Sequence, residues 1–335
     1  VEGMLPKLRR TWTRPPVRMA VLLVALLAPV VACLLSPLSQ GVGWLILGLL
    51  PAVTAGRMRP RAGFPVALIT AAAVVVGLLA GSGPASAVVV MGLAAAAVAA
   101  SAHYGWNPVA TLVAIVMSIV VISSPEYIGA QGSVAAHGSL AVALLVAAFF
   151  LVGGLWGAAV TAATIRAPGT ARFDCASTGE AVVYGTELVV LVCLGTWVAV
   201  SYIPGTRAYW LVLTLFVVLM PTHGESRRRI WERVGGTMAG GVAAAVLIEV
   251  VPVPLVLRVF GVVFLILTVV TSLSRPYWLY AASLTGALVL ASFSDRASGL
   301  AIAAERVGAT VAAGLAAVLV IEVVDRLAAR ARRPA

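Results

Sequence analysis

Apolar residues run through this chain in long stretches that stop only at a few Pro, Gly, Ser or Arg positions. A helix needs about 20 apolar residues to cross a hydrocarbon core roughly 30 Å thick, and the sequence supplies such runs repeatedly. They do not alternate. The run AVVVMGLAAAAVAA (87–100) is apolar at odd and even positions alike, unlike the in–out period of an outer-membrane strand. With no water to pair bare N–H and C=O groups, such a run is a helix. The pattern predicts about twelve spans, near 17–37, 42–56, 62–81, 84–101, 104–123, 139–165, 183–203, 208–221, 230–251, 254–273, 276–293 and 305–325. The expected fold class is an all-α integral membrane protein.

Composition narrows the picture further. The 335 residues are 61% hydrophobic and 10% charged, well below the quarter or so that a soluble domain carries. The net charge of +11 sits in short segments between spans, so no nucleic acid partner is expected. Cys33, Cys175 and Cys193 form no spacing motif, which argues against a disulfide framework or a zinc site. The basic N-terminus runs straight into a full-length apolar stretch, read as an uncleaved first helix. With the N-terminus inside, the twelve spans put 19 of the 23 Lys and Arg residues on the cytoplasmic side and leave Arg207, Arg258, Arg296 and Arg306 outside. The positive-inside bias thus predicts a cytoplasmic-membrane protein with both termini cytoplasmic.

The two halves resemble each other. RPRAGFPVALITAAAVVVGLLAG answers IWERVGGTMAGGVAAAVLIEVV, pairing Arg61 with Arg233 and Gly63 with Gly235. YGWNPVATLVAIVMSIVVIS answers PYWLYAASLTGALVLASFS, pairing Trp106 with Trp278 at the same offset of 172 residues. We expect two parallel six-helix repeats, 1–168 and 169–335, related by an axis along the membrane normal. Each has a short Trp-containing second span that meets a proline, Pro51 or Pro221. Helix breaks at matching positions point to a transport site, because unpaired backbone inside a membrane must face protein or a water-filled cavity.

Arg227, Arg228 and Arg229 follow the second break and read as a basic loop, either a topology signal or a lure for anions. Arg233 falls one turn into the next helix, where a charge is costly unless paired or facing water. It is a candidate substrate-facing or gating residue, the alternative being a structural pair with Glu232 or Glu225. The adjoining GGTMAGG lacks the Gly-Lys-Ser/Thr of a phosphate loop. Gly235, Gly236, Thr237 and Gly240 are therefore read as helix-packing positions.

An aromatic pair (Tyr209, Trp210) opening a short apolar span, a proline, a basic segment and then ERVGGTMAGG resembles the signature of the fusaric acid resistance and aromatic acid exporter family. The Arg-then-Gly-Thr step is matched by Arg233, Gly236 and Thr237, while the first half, reading RAGFPVA, lacks it. The resemblance implies export of aromatic carboxylic acids and related amphipathic compounds. Plant malate channels look like distant relatives, which keeps anion conduction open. A large cytosolic helical domain of longer family members has no counterpart in this sequence.

Other residues complete the expectation. Glu187 is an acid inside a span and a candidate proton carrier, with Tyr184 on the same face; the alternative is snorkelling or an arginine pair. Arg275, Trp278, Ala282 and Thr285 share a helical face suited to a carboxylate bearing a ring, or else form an interfacial belt. Trp106 and Asn107 open the matching helix of the first half with Thr111 and Ser118 on a polar stripe, Asn107 doubling as a helix cap. His103, His137 and His223 lie in separate loops, so no metal site is expected. The chain reads as a secondary exporter of organic anions that is not an enzyme and needs no cofactor, proton- or potential-driven. Alternatives are a passive anion channel or a membrane enzyme or flippase scaffold. Expected partners are a small organic anion and membrane lipid, with a homo-oligomer or a periplasmic or cell-wall adaptor left open.

Overall fold

The computed structural model describes residues 15–36, 38, 41–81, 83–123, 139–164, 175–203, 207–251, 253–272, 276–291 and 296–331. Arg275, His137 and Pro252 lie outside them, as do the basic residues Arg166 and Arg172. The described residues form twelve helices and no strand. They are α1 (Pro15–Leu34), α2 (Val42–Met58), α3 (Gly63–Ala80), α4 (Pro84–His103), α5 (Asn107–Ile122) and α6 (Leu140–Thr164). There follow α7 (Thr178–Tyr202), α8 (Tyr209–Val218), α9 (His223–Val250), α10 (Pro254–Ser272), α11 (Tyr277–Ala291) and α12 (Arg296–Ala331). Six stretches, in α3, α4, α6, α7, α9 and α12, are long and apolar enough to cross a membrane; six more are shorter, at 10–17 residues. Such a chain is a multi-pass membrane protein.

The chain divides into two compact units. The first takes residues 1–82, 105–121 and 128–175, the second 83–104, 122–127 and 176–335. In the first unit, α2 and α6 meet backbone to backbone: a Cβ on Gly48 would strike Phe150, and one on Gly153 would strike Leu45. Ala71, Val74 and Leu78 of α3, Val116 and Val120 of α5, and Ala143, Val146 and Phe150 of α6 form its core. Pro51 does not break α2. It is buried inside a continuous helix, because a membrane helix that loses one backbone bond to proline is held straight by close-packed neighbours.

In the second unit the expected interruption is present. α8 ends at Val218, and Leu219 and Met220 carry the chain to Pro221 before α9 begins. Ser226 makes the interruption tolerable: its hydroxyl accepts the Met220 N–H at 2.9 Å and lies 3.1 Å from the carbonyls of Met220 and Thr222. α9 starts seven residues earlier than the apolar pattern suggests, so Arg227, Arg228 and Arg229 are helical, not a loop. A first-turn Glu225 suits the positive end of the helix dipole there. α7 opens on a capping box between Ser177 and Glu180 and packs on α4, with Gly185 against Ala99 and Gly92 against Cys193.

Small residues fix the register around α9. Cβ atoms on Gly236 and Gly240 would collide with the Trp278 and Ala282 carbonyls of α11. Gly241 meets Val307 of α12, and Gly314 of α12 meets Val234 and Ile230. Hence α11 runs parallel to α9 and α12 antiparallel to it. A Cβ on Gly235 would meet nothing among the described residues, contrary to expectation; one residue from Gly236, it lies about 100° round the helix.

Candidate functional site

Where α9, α11 and α12 meet, the second unit buries two guanidinium groups. Arg233 is 2% exposed and Arg306 3%. Taking about 1.5 Å per residue and the register above, Arg306 lies roughly 13 Å along the α9 axis from Arg233. The two side chains nonetheless both lie near Tyr280 of α11. Neither forms a salt bridge among the described residues. Arg233 Nη1 donates to Tyr277 Oη at 3.4 Å. Arg306 Nε donates to Thr285 Oγ1 at 3.4 Å, and its guanidinium stands 5.0 Å over the Trp210 ring. Arg229 lies 4.0 Å over the Tyr277 ring. Arg233 Nε, Arg229 Nε and Thr237 Oγ1 are buried and meet no hydrogen-bond partner among the described residues.

Burying a guanidinium costs free energy unless a counter-charge or water compensates it, and two share this region. Aromatic faces offset part of that cost. Arginine donors that remain unspent suit an anion. The rings of Tyr209, Trp210, Tyr277 and Tyr280 offer apolar surface beside it.

A second cluster lies nearer the start of α9. His223, in its first turn, reaches two carboxylates at once. Nε2 is 2.9 Å from Glu187 Oε1 on α7, and Nδ1 is 2.7 Å from Asp325 Oδ1 on α12. Glu187 is 4% exposed. Arg227 continues the network, donating to Asp325 at 2.8 Å and Glu322 at 3.2 Å. No group of three or more His, Cys, Asp or Glu residues suits a metal among the described residues.

Several expectations change here. Glu232 pairs with Arg228, and Glu225 accepts from Thr222, so neither serves Arg233. Arg306, expected on the outer face, is buried. Trp278 is 43% exposed while Thr285 is fully buried, and Tyr277 and Tyr280 face the arginines in its place. Arg275 lies outside the described residues. Tyr209 meets the edge of Trp210. In the first unit, Trp106 carries Arg59 at 5.6 Å over its ring, and Asn107 accepts from Thr111 at 3.4 Å. Sequence reasoning missed His223, Asp325, Arg306, Tyr277 and Tyr280. Arg306 and Asp325 left a signal, as ionised residues inside the apolar run Ser298–Leu327.

No curated protein and no solved structure matches the chain. The family model described as fusaric acid resistance protein-like matches residues 189–320. That segment contains Arg233, Arg306 and the rings beside them. The chain is a multi-pass helical membrane protein whose residues 189–320 match the family model described as fusaric acid resistance protein-like.

Proposed function

We propose that the protein is a secondary exporter of amphipathic organic anions, aromatic carboxylates foremost, and not an enzyme. The observation that carries this reading is the pair of buried arginines that have no carboxylate partner among the described residues, set among aromatic rings. A carboxylate satisfies the open guanidinium donors, and an attached ring is received by tyrosine and tryptophan. The family match supports membrane export or resistance; the substrate class rests on the geometry.

The proposed orientation keeps both termini cytoplasmic. His223, Arg227, Asp325 and Arg326 gather at one end of the second unit, and the positive-inside rule assigns that end to the cytoplasm. An internal duplication gains support from each unit taken alone: an arginine lies over an aromatic residue at the start of a later helix, Arg59 over Trp106 just before α5 and Arg229, in the second turn of α9, over Tyr277 at the start of α11.

The deciding experiment loads vesicles containing the purified full chain with fusaric acid or benzoate and imposes a pH gradient. Uphill movement, lost in Arg233→Ala with normal protein yield, is the expected result. Flux that only ever runs down the anion gradient identifies a channel. Arg233→Ala protein that transports normally removes the cluster from the transport path.

A further inference from the structure

The contacts of His223 carry information about proton number that does not depend on any titration value. A neutral imidazole has one N–H donor and one bare nitrogen, and an ionised carboxylate only accepts. Both ring nitrogens sit at hydrogen-bond distance from carboxylate oxygens, 2.9 Å to Glu187 and 2.7 Å to Asp325. Each contact needs a hydrogen between its heavy atoms. The three groups therefore hold two protons between them, either as an imidazolium between two carboxylates or as a neutral ring beside one carboxylic acid. Remove one, and a ring lone pair faces a carboxylate lone pair. One contact becomes repulsive, and the bridge cannot persist in this form.

We propose that the Glu187–His223–Asp325 bridge is the site where the exporter carries its coupling proton, and that proton loss unclasps α7 and α12 from the start of α9. The proposal rests on the transport reading above and gives it a drive. Its geometry spans three helices with one side chain. His223 lies about 15 Å along α9 from Arg233, one rigid helix linking it to the arginine cluster. Protonation is thereby tied to the element that presents the anion's guanidinium.

Charged and titratable groups border the bridge on every element packed against it. On α9, Arg227 is engaged with Asp325 and Glu322. On α12, Arg326 pairs with Glu322, while Glu305 and Arg306 lie towards the other end, Glu305 against Arg207. On α7, Glu180 is held by Ser177, and Tyr184 is buried one turn before Glu187. α4 contributes His103, 3.3 Å from the Ala176 carbonyl. α8 contributes Tyr209, packed on Trp210. α11 contributes Tyr277 and Tyr280, which face the arginines. Among the described residues, His223 is the one ion-pair partner of Glu187. Deprotonation thus leaves a buried carboxylate without its counter-charge, a state relieved by opening or by taking up another proton.

The test uses the full chain with its three native cysteines replaced by alanine and spin labels at Thr178→Cys and Ala329→Cys, exposed positions at the ends of α7 and α12. The label separation is measured in lipid from about pH 5 to pH 9. The expected result is a single short distance in acid that gives way to a longer one as pH rises. His223→Gln abolishes this pH response, and Glu322→Gln, which leaves the histidine contacts intact, preserves it. In fusaric acid vesicles, His223→Gln lowers uphill export about tenfold and keeps exchange at equal pH within about twofold. A separation that ignores pH in the native chain, or follows pH equally in His223→Gln, overturns the proposal. Equal loss of uphill export and exchange in His223→Gln also overturns it. A pH-responsive bridge in a chain that moves no aromatic acid leaves the proton site standing and sinks the transport reading instead.

Discussion

At the scale of single residues, the arginine cluster turns on fork geometry. Arg233 spends one donor on Tyr277 and buries an Nε that has no partner among the described residues, so lysine at this position keeps charge but loses the second direction of hydrogen bonding. Arg233→Lys is expected to retain a minor part of efflux and Arg233→Ala none, measured as export of fusaric acid from vesicles at matched protein content. Tyr277 separates two roles. Tyr277→Phe loses the hydroxyl contact to Arg233 but keeps the ring beneath Arg229. Its effect on export should be several-fold smaller than that of Tyr277→Ala; equal effects would assign the ring no part.

At the scale of elements, α9 is positioned by absent side chains and one hydroxyl. Gly236 and Gly240 let its backbone touch that of α11. Replacing either with leucine forces the helices apart and should cost about 1–3 kcal/mol, read as a lower melting midpoint in detergent. Gly235→Ala, which meets nothing, should leave the midpoint unchanged or raised. Ser226 supports the gap between α8 and α9. Ser226→Ala leaves the Met220 N–H without its partner, an expected loss of about 1–3 kcal/mol, seen in the same melt.

At the scale of the whole molecule, orientation is the open quantity, and labelling measures it. In a chain without native cysteines, single cysteines at Gly224 and Ala329 should resist an impermeant maleimide in intact cells, while one at Glu305 should react. The reverse pattern would place the histidine bridge on the outer side. Orientation is a whole-chain property, since a span gained or lost anywhere upstream inverts every later loop.

The sequence by itself determined that the chain is helical and lies in a membrane, because apolar run length and charge content are summed along the chain and need no fold. It also pointed to the gap at Pro221 and singled out Arg233 and Glu187, both buried in the structure, because a charge within an apolar run is costly wherever the helix goes. It could not decide which prolines break a helix. Pro51 and Pro221 look alike in sequence, but close packing against α6 holds α2 continuous through the first, and Ser226 stabilises the interruption before the second. Nor could it pair charges. Glu232 adjoins Arg233 in sequence yet turns to Arg228, and the contacts that matter join His223 to Glu187 and Asp325, 36 and 102 residues away. Long-range meetings of this kind are set by helix register, and register here depends on which glycines admit a neighbouring backbone. That is a property of packed pairs of helices, so only the tertiary structure decided where the arginines and the proton bridge came together.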